Sequence, residues 1–97
     1  MLFLVEMIQE RPMPGAAAEY DDLKARVCLT LERLASMPGV HGGVIAGARA
    51  VVFVIEEADA EALDATLQGL PLWNCVETTR VTPLVSFLAR LGHNRSS

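Results

Sequence analysis

The sequence predicts a single α+β domain whose elements run β-α-β-β-α-β, and three observations carry that expectation. Residues 2–9 are apolar and β-prone, and the apolar period becomes helical between Ala16 and Met37. After Pro38-Gly39 a second stretch repeats the change, with two apolar strand-like runs followed by a helical one. A chain of 97 residues has room for one core.

In the first strand Phe3, Val5 and Met7 form one face, and Leu2, Leu4, Glu6 and Ile8 form the other. Glu6 is thus a carboxylate in apolar company. Glu10 to Gly15, with Pro12 and Pro14, reads as a loop, because proline cannot continue a ladder. From Ala16 the residues Tyr20, Leu23, Val27, Leu31 and Leu34 recur at three- and four-residue steps. That spacing gives a helix with one apolar stripe, flanked by Lys24 and Arg26, and Pro38-Gly39 ends it.

Val40–Ala46 and Ala50–Glu56 read as a hairpin around Gly47-Ala48-Arg49, with Arg49 solvated in the turn. Asp59 is the expected N-cap of a second helix carrying Leu63, Leu67 and Leu70, which Gly69 and Pro71 stop. Trp73–Val81 is the expected last strand, broken by Thr82-Pro83. The order is that of a ferredoxin-like fold, a four-stranded antiparallel sheet with two helices on one face. The domain is expected over residues 1–91, with 82–91 an apolar, helical tail segment in an oligomer contact. Residues 92–97 read as a disordered C-terminus.

Composition narrows the function. Apolar residues make up 52% and charged ones 21%, which places the chain among folded domains. The net charge of −4 and the absence of a Lys/Arg cluster argue against nucleic acid. The longest apolar run, Gly42 to Ile55, contains Arg49 and is too short to span a bilayer. Cys28 and Cys75 are far apart and form neither a disulfide framework nor a zinc signature, so a cytoplasmic protein is expected. Val51 to Ile55 is apolar at every position, so both sheet faces need cover. The expected partner is a second copy of the chain.

Met1-Leu2-Phe3, Leu23-Lys24-Ala25, Ile45-Ala46-Gly47, Ala62-Leu63 and Leu70-Pro71-Leu72 occur in an order and spacing that resemble the muconolactone Δ-isomerase family. The likeness runs over about residues 1–84. It implies a dimeric α+β barrel, with dimers gathered into larger rings. It also implies cofactor-free isomerisation, by proton shift, of a carboxylated unsaturated lactone from aromatic-compound catabolism. Lys24 and His41 stand where the family also has Lys and His. The chain departs from the pattern at Val27, where an acidic residue is usual, and at Gly42-Gly43-Val44, where the family carries bulky aromatic and basic residues. An emptier pocket is expected from those departures.

The chemistry asks for a base near neutrality, donors for a dienolate oxygen and a cation for a carboxylate. His41 and Glu6 are the catalytic candidates; the alternatives are a hydrogen-bonded turn histidine and a glutamate that reaches solvent or an arginine. Lys24 is the candidate carboxylate anchor, unless its stem only covers the helix stripe. Trp73 and Arg80 are candidate substrate contacts, with core packing and an oligomer contact as the competing readings. No cofactor or metal site is expected, since there is no phosphate loop and no ligand spacing. A non-catalytic oligomeric module that binds a small ligand or other proteins is the alternative function, as is a relative acting on a polyketide-like ring.

Overall fold

The computed structural model describes residues 1–11 and 15–96. Its elements are β1 (Leu2–Ile8), α1 (Ala17–Ser36), β2 (His41–Val44), β3 (Ala50–Glu56), α2 (Ala60–Gln68), a 3₁₀ turn (Trp73–Cys75), β4 (Thr78–Leu84) and α3 (Phe87–Ser96). The strands form one sheet in the order β2-β3-β1-β4. Every neighbouring pair is antiparallel. The expected α+β architecture is therefore present, followed by α3 in the region read as a helical tail. Of the expected loop at 10–15, Pro12 and Pro14 lie outside the described residues.

The alternation in β1 decides where the core sits. Phe3, Val5 and Met7 are buried, while Leu2, Leu4, Glu6 and Ile8 are half-buried on the opposite face. The buried set packs with Val51, Phe53 and Ile55 of β3, Leu23 and Leu34 of α1, and Leu63 and Leu67 of α2. Asp59 caps α2 as its sequence suggests, accepting a bond from the Ala62 N–H at 2.8 Å.

One buried polar side chain joins α1 to the segment leading into β4. Thr30 is wholly buried; its hydroxyl donates to the Arg26 carbonyl at 2.8 Å and accepts from the Leu72 N–H at 3.0 Å. One turn further along the helix, Arg33 donates to the Gly69 carbonyl. Residues 69–72 are thereby tied to α1, and Leu72 is carried into the core.

Three expectations are corrected. Trp73–Cys75 is a turn, not the start of a strand: the Trp73 N–H bonds back to Leu70 and that of Cys75 to Leu72, both within three residues. The last strand begins at Thr78 and runs through Pro83 to Leu84. Proline is tolerated there because β4 lies at the sheet edge, where one side of the strand meets no ladder. Helix α3 also continues to Ser96, past Gly92 where order is expected to end. Ser86 starts this helix, accepting from the Ala89 N–H on its hydroxyl and from the Arg90 N–H on its carbonyl.

Candidate active site

Beneath the N-terminal half of α1, a cavity of about 280 Å³ opens between the helix and the sheet. Its apolar wall is built from Met7, Leu23, Val27, Val44, Val51, Leu72 and Val76. Tyr20, Lys24, Arg49 and Gln9 supply its polar groups. No side chain of α2 takes part. The cavity thus belongs to the end of the sheet where α1 alone provides the roof.

Each polar group has a local reason for its position. Tyr20 and Lys24 are four residues apart on α1, so they lie one turn apart on the same side of the helix. Arg49 precedes β3 and is placed by the sheet's alternation. The Gln9 N–H bonds to the Arg49 carbonyl at 2.9 Å, extending the register that pairs Met7 with Val51. Arg49 therefore shares the helix-covered face with Val51, two residues on. The turn that delivers it is closed by the Ala48 N–H on the Ile45 carbonyl at 3.1 Å. Gly47 occupies the left-handed region there, with φ of +77°, which few other residues adopt without strain.

The cavity rim is held by a chain of polar contacts. Arg49 donates through Nη1 to the Arg11 carbonyl, and the Arg11 Nε pairs with Glu77 at 3.0 Å. Glu77 also accepts the Glu10 N–H at 2.7 Å. That backbone bond, reinforced by the charge of Arg11 and opposed by partial desolvation, holds the Glu77 carboxyl below the usual carboxylate range. Thr78 completes the link by donating to Glu10 at 3.0 Å.

Of the residues singled out by the sequence, the structure brings Lys24 into the cavity and leaves the others elsewhere. His41 is exposed at the start of edge strand β2, in register with Val54. Val54 pairs with Leu4, so His41 belongs to the sheet face away from the helices. Glu6 lies on that same outer face, directly opposite the exposed Arg80. Trp73 packs against the core from the 3₁₀ turn and does not line the cavity. Two faces of one sheet thus separate Lys24 from His41, Glu6 and Arg80.

The glycines after His41 also have a specific place. Gly42 and Gly43 border a second, apolar cavity of about 250 Å³ near the C-terminal half of α1. A Cβ on Gly42 would stand 2.1 Å from the Val52 carbonyl oxygen, so β2 can approach β3 in this way only with glycine. Val44 is the member of this trio that reaches the Lys24 cavity. Among the described residues no three His, Cys, Asp or Glu side chains gather in a metal-binding group. Among them, too, no helix is long and apolar enough to cross a membrane.

A family model described as muconolactone delta-isomerase matches residues 1–89. The chain belongs to the muconolactone delta-isomerase family. A crystal structure of muconolactone isomerase superposes with a TM-score of 0.70 at 32% identity, covering 89% of this chain and 90% of that one. The fold is shared more widely. A 5-chloro-2-hydroxyhydroquinone dehydrochlorinase from Burkholderia phenoliruptrix AC1100, in complex with 2,5-dihydroxybenzoquinone, matches with a TM-score of 0.55 at 19% identity. That match covers 88% of this chain and 94% of the dehydrochlorinase. No curated protein matches the chain. Of the cavity's polar lining the sequence singles out Lys24, and Arg49 and Tyr20 join it in the fold. Counting the strand alternation outward from Val51 to Arg49 is the signal that finds the arginine.

Proposed function

We propose that this family member isomerises a small, carboxylated, unsaturated lactone of aromatic-compound catabolism by shifting a proton, with the cavity under α1 as its substrate site. The observation that carries the proposal is the cavity's make-up: an apolar wall for a ring, with Lys24 at its edge to meet a carboxylate. In this reaction a base takes the proton from one ring carbon, the double bond moves through a dienolate, and that base returns a proton to another ring carbon, so the formula is unchanged. The Tyr20 hydroxyl, one turn before Lys24, is a donor for the oxygen on which charge develops. Self-association through the outer sheet face belongs to the same reading. It is supported by Leu4, Val52 and Val54 on that face and by an α3 whose Phe87 is 96% exposed.

One observation favours a second location for the acid–base step. Glu6 and Arg80 are cross-strand neighbours on the outer face, and His41 lies in the adjoining row beside Val54. A second copy stacked there would enclose these three groups and give Glu6 or His41 the catalytic role.

Steady-state turnover of muconolactone separates the two locations. With the cavity as the site, Lys24→Met raises KM by roughly 10- to 100-fold, the worth of a charge-assisted hydrogen bond. His41→Ala and Glu6→Gln then stay close to the parent. With the outer face as the site, His41→Ala or Glu6→Gln lowers kcat by roughly 10²- to 10⁴-fold and Lys24→Met leaves KM alone. Circular dichroism checks that each variant is folded. Absence of any lactone turnover by the parent protein would end the isomerase reading and leave a ligand-binding module.

A further inference from the structure

The cavity holds more positive charge than one carboxylate requires. Lys24 enters from α1 and Arg49 from the turn before β3, so two cations on different elements line one small, mostly apolar space. None of its described lining residues is acidic. Neither cation has an ion-pair partner among the described residues; the ion pairs there are Met1–Glu56, Arg11–Glu77 and Arg26–Asp22. The neighbouring Arg26 shows the contrast, since its Nε is matched by Asp22 at 3.0 Å one turn away on the same helix. Both residues are exposed where the cavity opens to solvent, so their mutual repulsion is screened, and an anion held by both gains from each charge.

We propose that Arg49 is a specificity-determining residue and that the site takes a single ring bearing two anionic oxygen groups, one held by Lys24 and the other by Arg49. The inference rests on the cavity being the substrate site and goes beyond it by naming the charge of the ligand. Size supports one ring: about 280 Å³ lies just below the roughly 300 Å³ at which drug-sized sites begin. The arginine suits the role because its position is fixed twice. Its backbone carbonyl is bonded to Gln9, and one of its N–H groups is bonded to the Arg11 carbonyl. A guanidinium carries five donors in a planar fork, so an Arg11-anchored group still presents an edge suited to a carboxylate or an enolate. Tyr20, also on the lining, adds a neutral donor that contributes no charge preference of its own.

Isothermal titration with two named probes tests this, using benzoate as the ring with one charge and isophthalate as the ring with two. The parent protein is expected to bind isophthalate roughly 10- to 100-fold more tightly than benzoate, the increment of one further charge-assisted contact. Arg49→Gln, which keeps a polar side chain of similar reach, is expected to abolish that preference while benzoate binding stays within about twofold. Lys24→Met is expected to weaken both probes. Equal affinity of the parent for the two probes overturns the proposal, as does a preference that survives Arg49→Gln. If benzoate binds in a Lys24-dependent manner without a dianion preference, the charge assignment fails and the cavity stands as the site. If neither probe binds and Lys24→Met changes nothing in turnover, the cavity reading fails with it.

Discussion

The two faces of β1 are built from similar residues and meet different surroundings. Phe3, Val5 and Met7 are covered by helices, whereas Leu2, Leu4 and Ile8, with Glu6 among them, are only half-buried within a single chain. A strand that alternates in exposure but not in apolarity has a second environment to satisfy. The covered face is a core of this domain, and the outer face is apolar in advance of any contact. This contrast also separates the candidate residues. A cavity with cationic groups lies on the covered side, and Glu6, Arg80 and His41 lie on the other.

The sharpest way to break that comparison is to alter one residue on each face. Phe3→Ala removes a ring that is 1% exposed and should lower stability by about 3–5 kcal/mol, read by urea denaturation at any protein concentration. Val54→Asp, on the outer face, should leave the fold of the single chain and abolish self-association, so that its effect depends on protein concentration. A parent protein that sediments as one chain at micromolar concentration would show that the outer face needs no cover.

A smaller effect tests the link between α1 and residues 69–72. Thr30→Val keeps the shape and leaves the buried Leu72 N–H without its acceptor, a loss of about 1–3 kcal/mol. An unchanged urea midpoint would mean that another acceptor replaces the hydroxyl.

The smallest effect concerns Glu77 at the cavity rim. Its folded carboxyl titrates below the usual range, so its bonds stabilise the fold above that range and are lost as the pH falls through the lowered value. Glu77→Gln should therefore be slightly less stable than the parent near neutrality. The two should converge in acid, with urea midpoints measured across that interval as the check. A gap that widened toward low pH would reverse the assigned sign.

The fold was legible where a local rule and the long-range packing agree. The alternation of Phe3, Val5 and Met7, the stripe from Leu23 to Leu34 and the cap at Asp59 each needed only spacing and residue type. Thr30 lies on the period of that same stripe, seven residues after Leu23, yet its polarity hid it. Its burial depends on a partner 42 residues away. The end of the last strand was misjudged because proline forbids a central strand and is permitted at an edge, and edge position is a property of the assembled sheet. Of the polar groups that line the cavity, Lys24 alone was legible. His41 and Glu6 have suitable chemistry, but a sequence apolar on both sheet faces does not say which face encloses the cavity. Arg49 is an exposed turn residue, as its sequence suggests, and its place on the cavity follows only from the parity it shares with Val51.

Pro83 has a consequence for how copies of this chain can meet. The sheet has two margins, β2 and β4, and each is poorly suited to receiving another strand. On β4 the proline removes one donor from the ladder that a newcomer needs. On β2 only four residues are extended, and two of them are glycine. Strand addition, which once begun can propagate without limit into fibres, therefore finds only a poor template at either margin. Any contact between copies is steered toward the broad apolar surface instead. A contact of that kind between identical surfaces is satisfied by one partner and closes upon itself.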